Sequence, residues 1–224
     1  MTSPTPLLYD TVYHIYNRGI NGENIFIQEK NFSHFLTLYT KYIEPVAETY
    51  AYCLLRNHFH LLVRIKSEAE ILKTLKVFQT NPSHSRQGSV ANKEESLARK
   101  PLGSIYPSKR FSDFFNAYAK AINAAYGRTG SLFQHPFGRK IVTSNDHLIR
   151  VVAYIHQNPQ KHGLVSDFRE WKFSSYGAIL TILPTHIKRE DVIRLFGGME
   201  LYCVVHQEHI AAEQTRDFMD DDAD

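Results

Sequence analysis

Apolar and polar residues alternate over Thr11-Val12-Tyr13-His14-Ile15-Tyr16, a β-rich stretch, and Asn17-Arg18-Gly19 then reads as a turn. The period becomes helical at Phe32, Phe35, Leu36, Leu38, Tyr39 and Ile43, with Pro45 close behind as a stop. Tyr50 to Leu55 predicts a second strand and His58 to Ile65 a third, so close that only a tight hairpin fits between them. Helical spacing returns over Ser67 to Gln79 through Ile71, Leu72, Leu75 and Phe78. It is stronger over Phe111 to Tyr126, where Phe111, Phe114, Phe115, Tyr118 and Ile122 share one side and Gly127 ends the run. Leu132-Phe133-Gln134 and then Arg139 to Thr143 predict a last strand, bent at Pro136.

The order β-α-β-β-α-β is the α+β split arrangement called ferredoxin-like, with an antiparallel sheet. One more helix follows, capped by Ser144 or Asn145 and running to Pro159, with Leu148, Val151, Val152 and Ile155 as its buried stripe. Residues 81–110 are rich in Ser, Pro, Gly, Lys and Arg, have little periodicity and predict a mobile insertion. The expected organisation is one domain over 1–180 and a C-terminal extension over 181–224 that ends in an acidic, disordered tail.

Charge sharpens this picture. Residues 200–224 hold eight acids against Arg216 alone; removing them from the totals of 26 bases and 23 acids leaves 25 and 15 in residues 1–199, a balance of +10. A basic body suits a polyanion such as nucleic acid, although surplus lysine and arginine also serve simply as solvated surface. No apolar run approaches membrane-spanning length, and Met1 to Tyr9 lacks the basic start and apolar core of a signal peptide, so the expectation is a cytoplasmic protein with no membrane partner. Cys53 and Cys203 form neither a CxxC pair nor a disulfide framework.

The candidate chemistry centres on Asn57-His58-Phe59-His60-Leu61-Leu62-Val63. Side chains alternate along a strand, so His58 and His60 share a face and two imidazoles one pleat apart can close on one divalent cation. In a chain with 12 histidines such a pair also arises by chance, and the alternative is the polar face of a half-buried strand. On the later helix, Tyr154 and Asn158 lie one turn apart on a flank of the apolar stripe, while His156 points about 200° away from Tyr154. A tyrosine hydroxyl attacks a phosphodiester when a metal ion polarises it. Tyr154 is otherwise an amphipathic side chain at a core edge.

His58-Phe59-His60 together with Tyr154-Ile155-His156-Gln157-Asn158-Pro159-Gln160-Lys161-His162-Gly163-Leu164-Val165 resembles the single-tyrosine HUH transposase family, and within it the REP-associated tyrosine transposases. The likeness also takes in Tyr13 to Gly19, Gly130-Ser131-Leu132-Phe133-Gln134 and Trp171-Lys172-Phe173-Ser174-Ser175-Tyr176, in order across most of residues 11–180. The resemblance implies cleavage and rejoining of single-stranded DNA beside hairpins through a 5′-phosphotyrosine intermediate, assisted by Mg²⁺ or Mn²⁺. It implies His58 and His60 as metal ligands, Asn158 as the third and Tyr154 as nucleophile. Arg139 and Lys140 match basic positions of the family and Trp171 lies in a segment that resembles one near DNA, while Arg18 stands in the Asn-Arg-Gly turn where it could contact phosphate; solvated arginines and lysines and a packing tryptophan are the alternatives.

Three features depart from the family pattern: the insertion at 81–110, the appendage after Ile179, and Asn158 directly before Pro159, which predicts that the third ligand approaches from a frayed last turn. The resemblance leaves room for a monomer or a homodimer in which the Tyr154 helix serves its neighbour. A domesticated hairpin-binding protein that no longer cuts is the alternative to an enzyme. A zinc-stabilised domain lacks the soft ligands that a closed site needs.

Overall fold

The computed structural model describes residues 6–80 and 106–207. The insertion therefore lies outside the described residues over 81–105, as does the acidic tail over 208–224. The strands are β1 (Val12–Arg18), β2 (Ala47–Leu54), β3 (His58–Ile65) and β4 (Gly138–Ile141). They form one sheet in the order β2-β3-β1-β4, antiparallel at every pairing. With α1 (Glu29–Tyr42), α2 (Glu68–Thr80) and α3 (Pro107–Tyr126) as the intervening helices, this is the expected ferredoxin-like topology.

β1 is longer than its sequence suggests. Asn17 and Arg18, expected in a turn, are still paired with Phe59 and His58, and the chain leaves the sheet only at Gly19. Gly19 is needed there because a Cβ would meet the Glu23 carbonyl oxygen at 2.0 Å. α3 also begins earlier than expected, at Pro107, whose fixed φ suits the first helical turn. Lys109 and Arg110 therefore belong to the helix and not to the insertion. The Arg110 guanidinium donates to the carbonyls of Lys41 and Tyr42, placing a cation at the C-terminus of α1.

The two faces of the sheet pack separately. Tyr13, Ile15, Phe59, Leu61 and Val63 face α1 and α3, meeting Phe32, Phe35, Phe114 and Tyr118. The opposite face carries α4 (Asn145–Lys161), which crosses β2 and β3. Ser144 caps α4, its hydroxyl accepting from the His147 amide. Beyond α4, α5 (Tyr176–Leu180), α6 (Arg189–Phe196) and α7 (Met199–Gln207) close a third layer, with Val192, Phe196 and Tyr202 in one core with Val151, Val152 and Ile155. That layer explains why α4 is buried almost all round, including Ala153, Tyr154 and His156, and not along a single stripe.

The outer edge of β2 is covered by chain from this layer. Leu54 N–H donates to the Phe173 carbonyl, Ser175 N–H to the Tyr52 carbonyl and Lys188 N–H to the Thr49 carbonyl. No helix among the described residues is long and apolar enough to cross a membrane.

Candidate active site

Opposed residues of an antiparallel pair project to one side of the sheet. Tyr16 opposite His60, Arg18 opposite His58, His14 opposite Lys140 and Tyr16 opposite Gly138 therefore put His14, Tyr16, Arg18, His58, His60 and Lys140 on the face that carries α4. Arg139, opposite Ile15, projects to the other face, where its guanidinium lies 3.9 Å from the Phe137 ring centroid. The two basic residues predicted side by side on β4 are thus divided between faces, and Lys140 alone shares the side of the histidines.

Both histidines are buried: His58 is 7% exposed and His60 1%. Their rings stand 5.2 Å apart and nearly perpendicular. His58 Nδ1 lies 2.7 Å from Asn57 Oδ1, an acceptor, which assigns the proton to Nδ1 and the lone pair to Nε2. His60 Nδ1 lies 3.0 Å from His14 Nε2, and its own Nε2 is buried with no hydrogen-bond partner. Burial, then the neighbouring imidazoles, push the His60 pKa well below the usual histidine value and keep it neutral.

α4 presents Tyr154, Asn158 and, at its C-cap, His162 as successive members of one i, i+4 ridge. The Tyr154 ring meets His60 edge-on at 5.5 Å, and the His162 ring meets His58 at 4.7 Å. The two ends of the ridge thus touch the two strand histidines, and Asn158 sits between them. Its Nδ2 donates to the Tyr154 carbonyl at 2.9 Å, while its Oδ1 is buried without a partner. The helix does not fray at this point. Pro159 is inside it, and the His162 and Leu164 amides donate to the carbonyls of Asn158 and Pro159, carrying the backbone bonds past the proline.

These donors suit a divalent cation. Two imidazole nitrogens and a carboxamide oxygen would make a mixed N/O set, and the orphaned His60 Nε2 and Asn158 Oδ1 are polar atoms that such an ion would satisfy. Among the described residues no group of three His, Cys, Asp or Glu side chains is gathered to hold a metal, so any site here depends on the asparagine. A cavity of about 190 Å³, lined by Tyr16, Arg18, His58, His60, Gln134 and Gly138, reaches the histidines from the β1–β4 side that α4 leaves open.

Tyr154 approaches from the other side and is 0% exposed, with the Lys161 ammonium 4.6 Å from its ring centroid. Trp171 is placed elsewhere. Its indole N–H donates to the Leu54 carbonyl at the end of β2, and its ring meets Phe32 and Phe173. His156 faces away from the histidine pair, bonding Ser175 Oγ at 2.7 Å and His206 at 2.8 Å.

His14, Asn57, Tyr16 and His162 also stand at these histidines, although the sequence reading assigns none of the four a part in the site. The signal for His14 was present, since it alternates in phase on β1 and the ferredoxin-like order sets β1 beside β3. Tyr16 depends on Gly138, over which its ring lies; a Cβ there would meet the ring at 2.1 Å.

Neither a protein-family model nor a curated protein matches the sequence. Among solved structures the chain is similar to a REP-associated tyrosine transposase bound to a REP hairpin, at 14% identity and a TM-score of 0.52, over 80% of this chain and 86% of that one. At that identity the likeness is one of fold: the four-stranded antiparallel sheet and its helices have the architecture of that transposase.

Proposed function

We propose that this chain is a DNA transposase-like nuclease that binds hairpin-flanked single strands and cleaves and rejoins them through Tyr154. The observation that carries the reading is the meeting of Tyr154 with His60 on one face of the sheet, with the Asn158 oxygen buried and unsatisfied on the same ridge. His58, His60 and Asn158 would hold a divalent ion, Mn²⁺ at least as well as Mg²⁺ because two of the three donors are imidazoles. When bound, that ion supplies polarisation of a phosphodiester and neutralises its developing charge.

The chain's own groups do the rest. Arg18 and Lys140, on the histidine face, bind phosphates on either side of the scissile one. The Tyr154 hydroxyl oxygen forms a bond to phosphorus as the bond to the 3′ oxygen breaks, leaving a 5′-phosphotyrosine and a free 3′-hydroxyl. The phenolic proton passes through solvent to the departing oxygen. Attack by a 3′-hydroxyl on the phosphotyrosine reverses the sequence and joins strands. Because Tyr154 is fully buried, this chemistry requires α4 to expose it on binding DNA, or to present it to the site of a second copy.

That same burial favours a second reading, a protein that grips DNA hairpins without cutting them. Incubation with hairpin-flanked single-stranded oligonucleotides and Mn²⁺, followed by a denaturing gel, separates the two. A covalent protein–DNA adduct that is lost in Tyr154→Phe, His58→Ala and His60→Ala supports cleavage. Tight hairpin binding with no adduct, unaffected by these substitutions, establishes the binding module in its place.

A further inference from the structure

Tyr16 lies down on the sheet. A Cβ on Gly138, directly opposite in the β1–β4 pairing, would come within 2.1, 2.2 and 2.7 Å of Cε2, Cζ and Cδ2 of its ring. An edge-on approach to the Cε2–Cζ bond would leave Cδ2 much farther off, so the ring covers the glycine with its face. A strand glycine allows such a close approach because it has no side chain. The opposite face of the ring turns away from the sheet, and the half-buried Tyr16 lines the cavity of about 190 Å³ that leads to the histidines. Its centroid is 5.2 Å from that of His14 and 6.2 Å from that of His60.

The strand register places a cation on either side of this ring. Arg18 is one pleat farther along β1, and Lys140, opposite His14, is one pleat away in the other direction on β4; both share the face of Tyr16. Gln134 lines the same cavity as Tyr16 and Arg18, and its backbone N–H donates to the Arg18 carbonyl at 3.0 Å. An aromatic face between two cations matches the chemistry of a nucleotide in a single strand, which has a π-face between two charged phosphates. We infer that Tyr16 is a base-stacking platform: an unpaired nucleobase beside the phosphate at His58 and His60 lies on its ring, with Arg18 and Lys140 on the phosphates that flank that nucleotide. Gln134, with donors and an acceptor, supplies hydrogen bonds to the edge of the base. The inference rests on the DNA reading proposed above and adds to it a nucleobase subsite on strands that carry no attacking group.

The test uses the full-length protein and a hairpin-flanked single strand selected for binding from a randomised library. Each unpaired nucleotide in turn is made abasic, and fluorescence anisotropy measures the affinity. One abasic position is expected to weaken wild-type binding by about 5–150-fold, the range for one base–aromatic stack. Tyr16→Leu is expected to lose that factor on intact DNA and nothing further at the same abasic position. Tyr16→Phe, which keeps the ring, should behave as wild type to within about twofold. A merely structural role for Tyr16 would weaken binding to intact and abasic strands alike. As a readout that needs no substitution, 5-iodouracil at the sensitive position is expected to photocrosslink to Tyr16.

A wild-type affinity that no single abasic position lowers overturns the inference whether or not the variants fold. So does a crosslink to a different residue, or a Tyr16→Leu protein that still loses affinity at the sensitive position. If no hairpin-flanked strand can be selected, the DNA reading and the inference fall together. A base that stacks on Tyr16 in a protein that forms no covalent adduct removes the cleavage reading and leaves the platform in place.

Discussion

Tyr154 meets His60 edge to face, with ring centroids 5.5 Å apart and ring planes at 78°. One side chain comes from the third strand and the other from a helix far along the chain, yet both are buried in one layer. A rigid helix packed on a rigid strand holds a phenol beside two imidazoles with little entropy left to lose, which is the physical advantage of building a site on regular elements. The same packing hides the phenol. On the function proposed above, its release is the step on which cleavage would depend.

Tyr154→Phe separates chemistry from packing. The ring stays in place, so unfolding midpoints in urea should move by no more than about 1 kcal/mol, the net worth of one hydroxyl's hydrogen bonding. Hairpin binding should persist while the covalent adduct vanishes. An adduct that survives the substitution would assign the nucleophile to another residue.

Gly138→Ala should crowd the site from the β4 side. Its new methyl would meet the Tyr16 ring at 2.1 Å, a distance that forces the ring away from its place beside His14 and His60. A loss of about 1–3 kcal/mol in stability is expected, as for other overpacking changes. Tyr16→Ala should absorb most of that loss in the double variant, and a double-mutant cycle that is simply additive would show that the two do not compete for space.

The division of basic residues between faces predicts different salt dependences. If Arg18 and Lys140 each neutralise a phosphate, Arg18→Ala and Lys140→Ala should each lower the slope of log affinity against log salt for a hairpin oligonucleotide by about 1. Arg139→Ala, on the opposite face and stacked on Phe137, should leave the slope as it is. Fluorescence anisotropy at several salt concentrations measures all three.

Trp171→Phe should cost stability and not affinity. The indole N–H is committed to the Leu54 carbonyl, so its loss removes one partly buried hydrogen bond and some packing, about 1–2 kcal/mol in all. A variant as stable as wild type but weakened in hairpin binding would restore Trp171 to the DNA interface.

Stability should fall on mild acidification because of His206. Burial pushes its pKa down to about 4, partly offset by its hydrogen bond to the Tyr202 carbonyl. His156 on α4, with Tyr176 and Tyr202, surrounds the ring, and Lys161, Asp167 and Arg169 line the groove of about 450 Å³ that it borders. A pKa depressed in the folded state means that the unfolded chain binds the proton first. The stabilisation is therefore full above the ordinary histidine value and is lost as pH falls from about 6.5 toward 4, to the extent of about 3 kcal/mol from this group. Urea midpoints at pH 7 and pH 4.5 test the drop, which should shrink in His206→Gln.

Several features were legible before any coordinates. The β3 boundaries are those expected, because His58 to Ile65 is bounded by a tight turn and alternates across two buried faces. Helix α3 ends where Gly127 adopts a left-handed conformation at φ 62°, as its position after the apolar run required. Two misreadings have one cause. Asn17-Arg18 looked like a turn and Asn158-Pro159 like a helix end because local propensity favours both; cross-strand pairing with Phe59 and His58, and burial of α4 beneath α6 and α7, outweighed that propensity.

The sequence by itself determined the period of each element, and with it the sharing of a face by His58 and His60 and the grouping of Tyr154 with Asn158, since 2.0 and 3.6 residues per repeat are local properties of the backbone. Only the tertiary structure decided that those two faces meet, that His14 rather than a carboxylate stands behind His60, and that Tyr154 lies buried. These depend on which strand pairs with which and on what the C-terminal helices cover. Such contacts arise between residues far apart in the chain, where no local repeat records them.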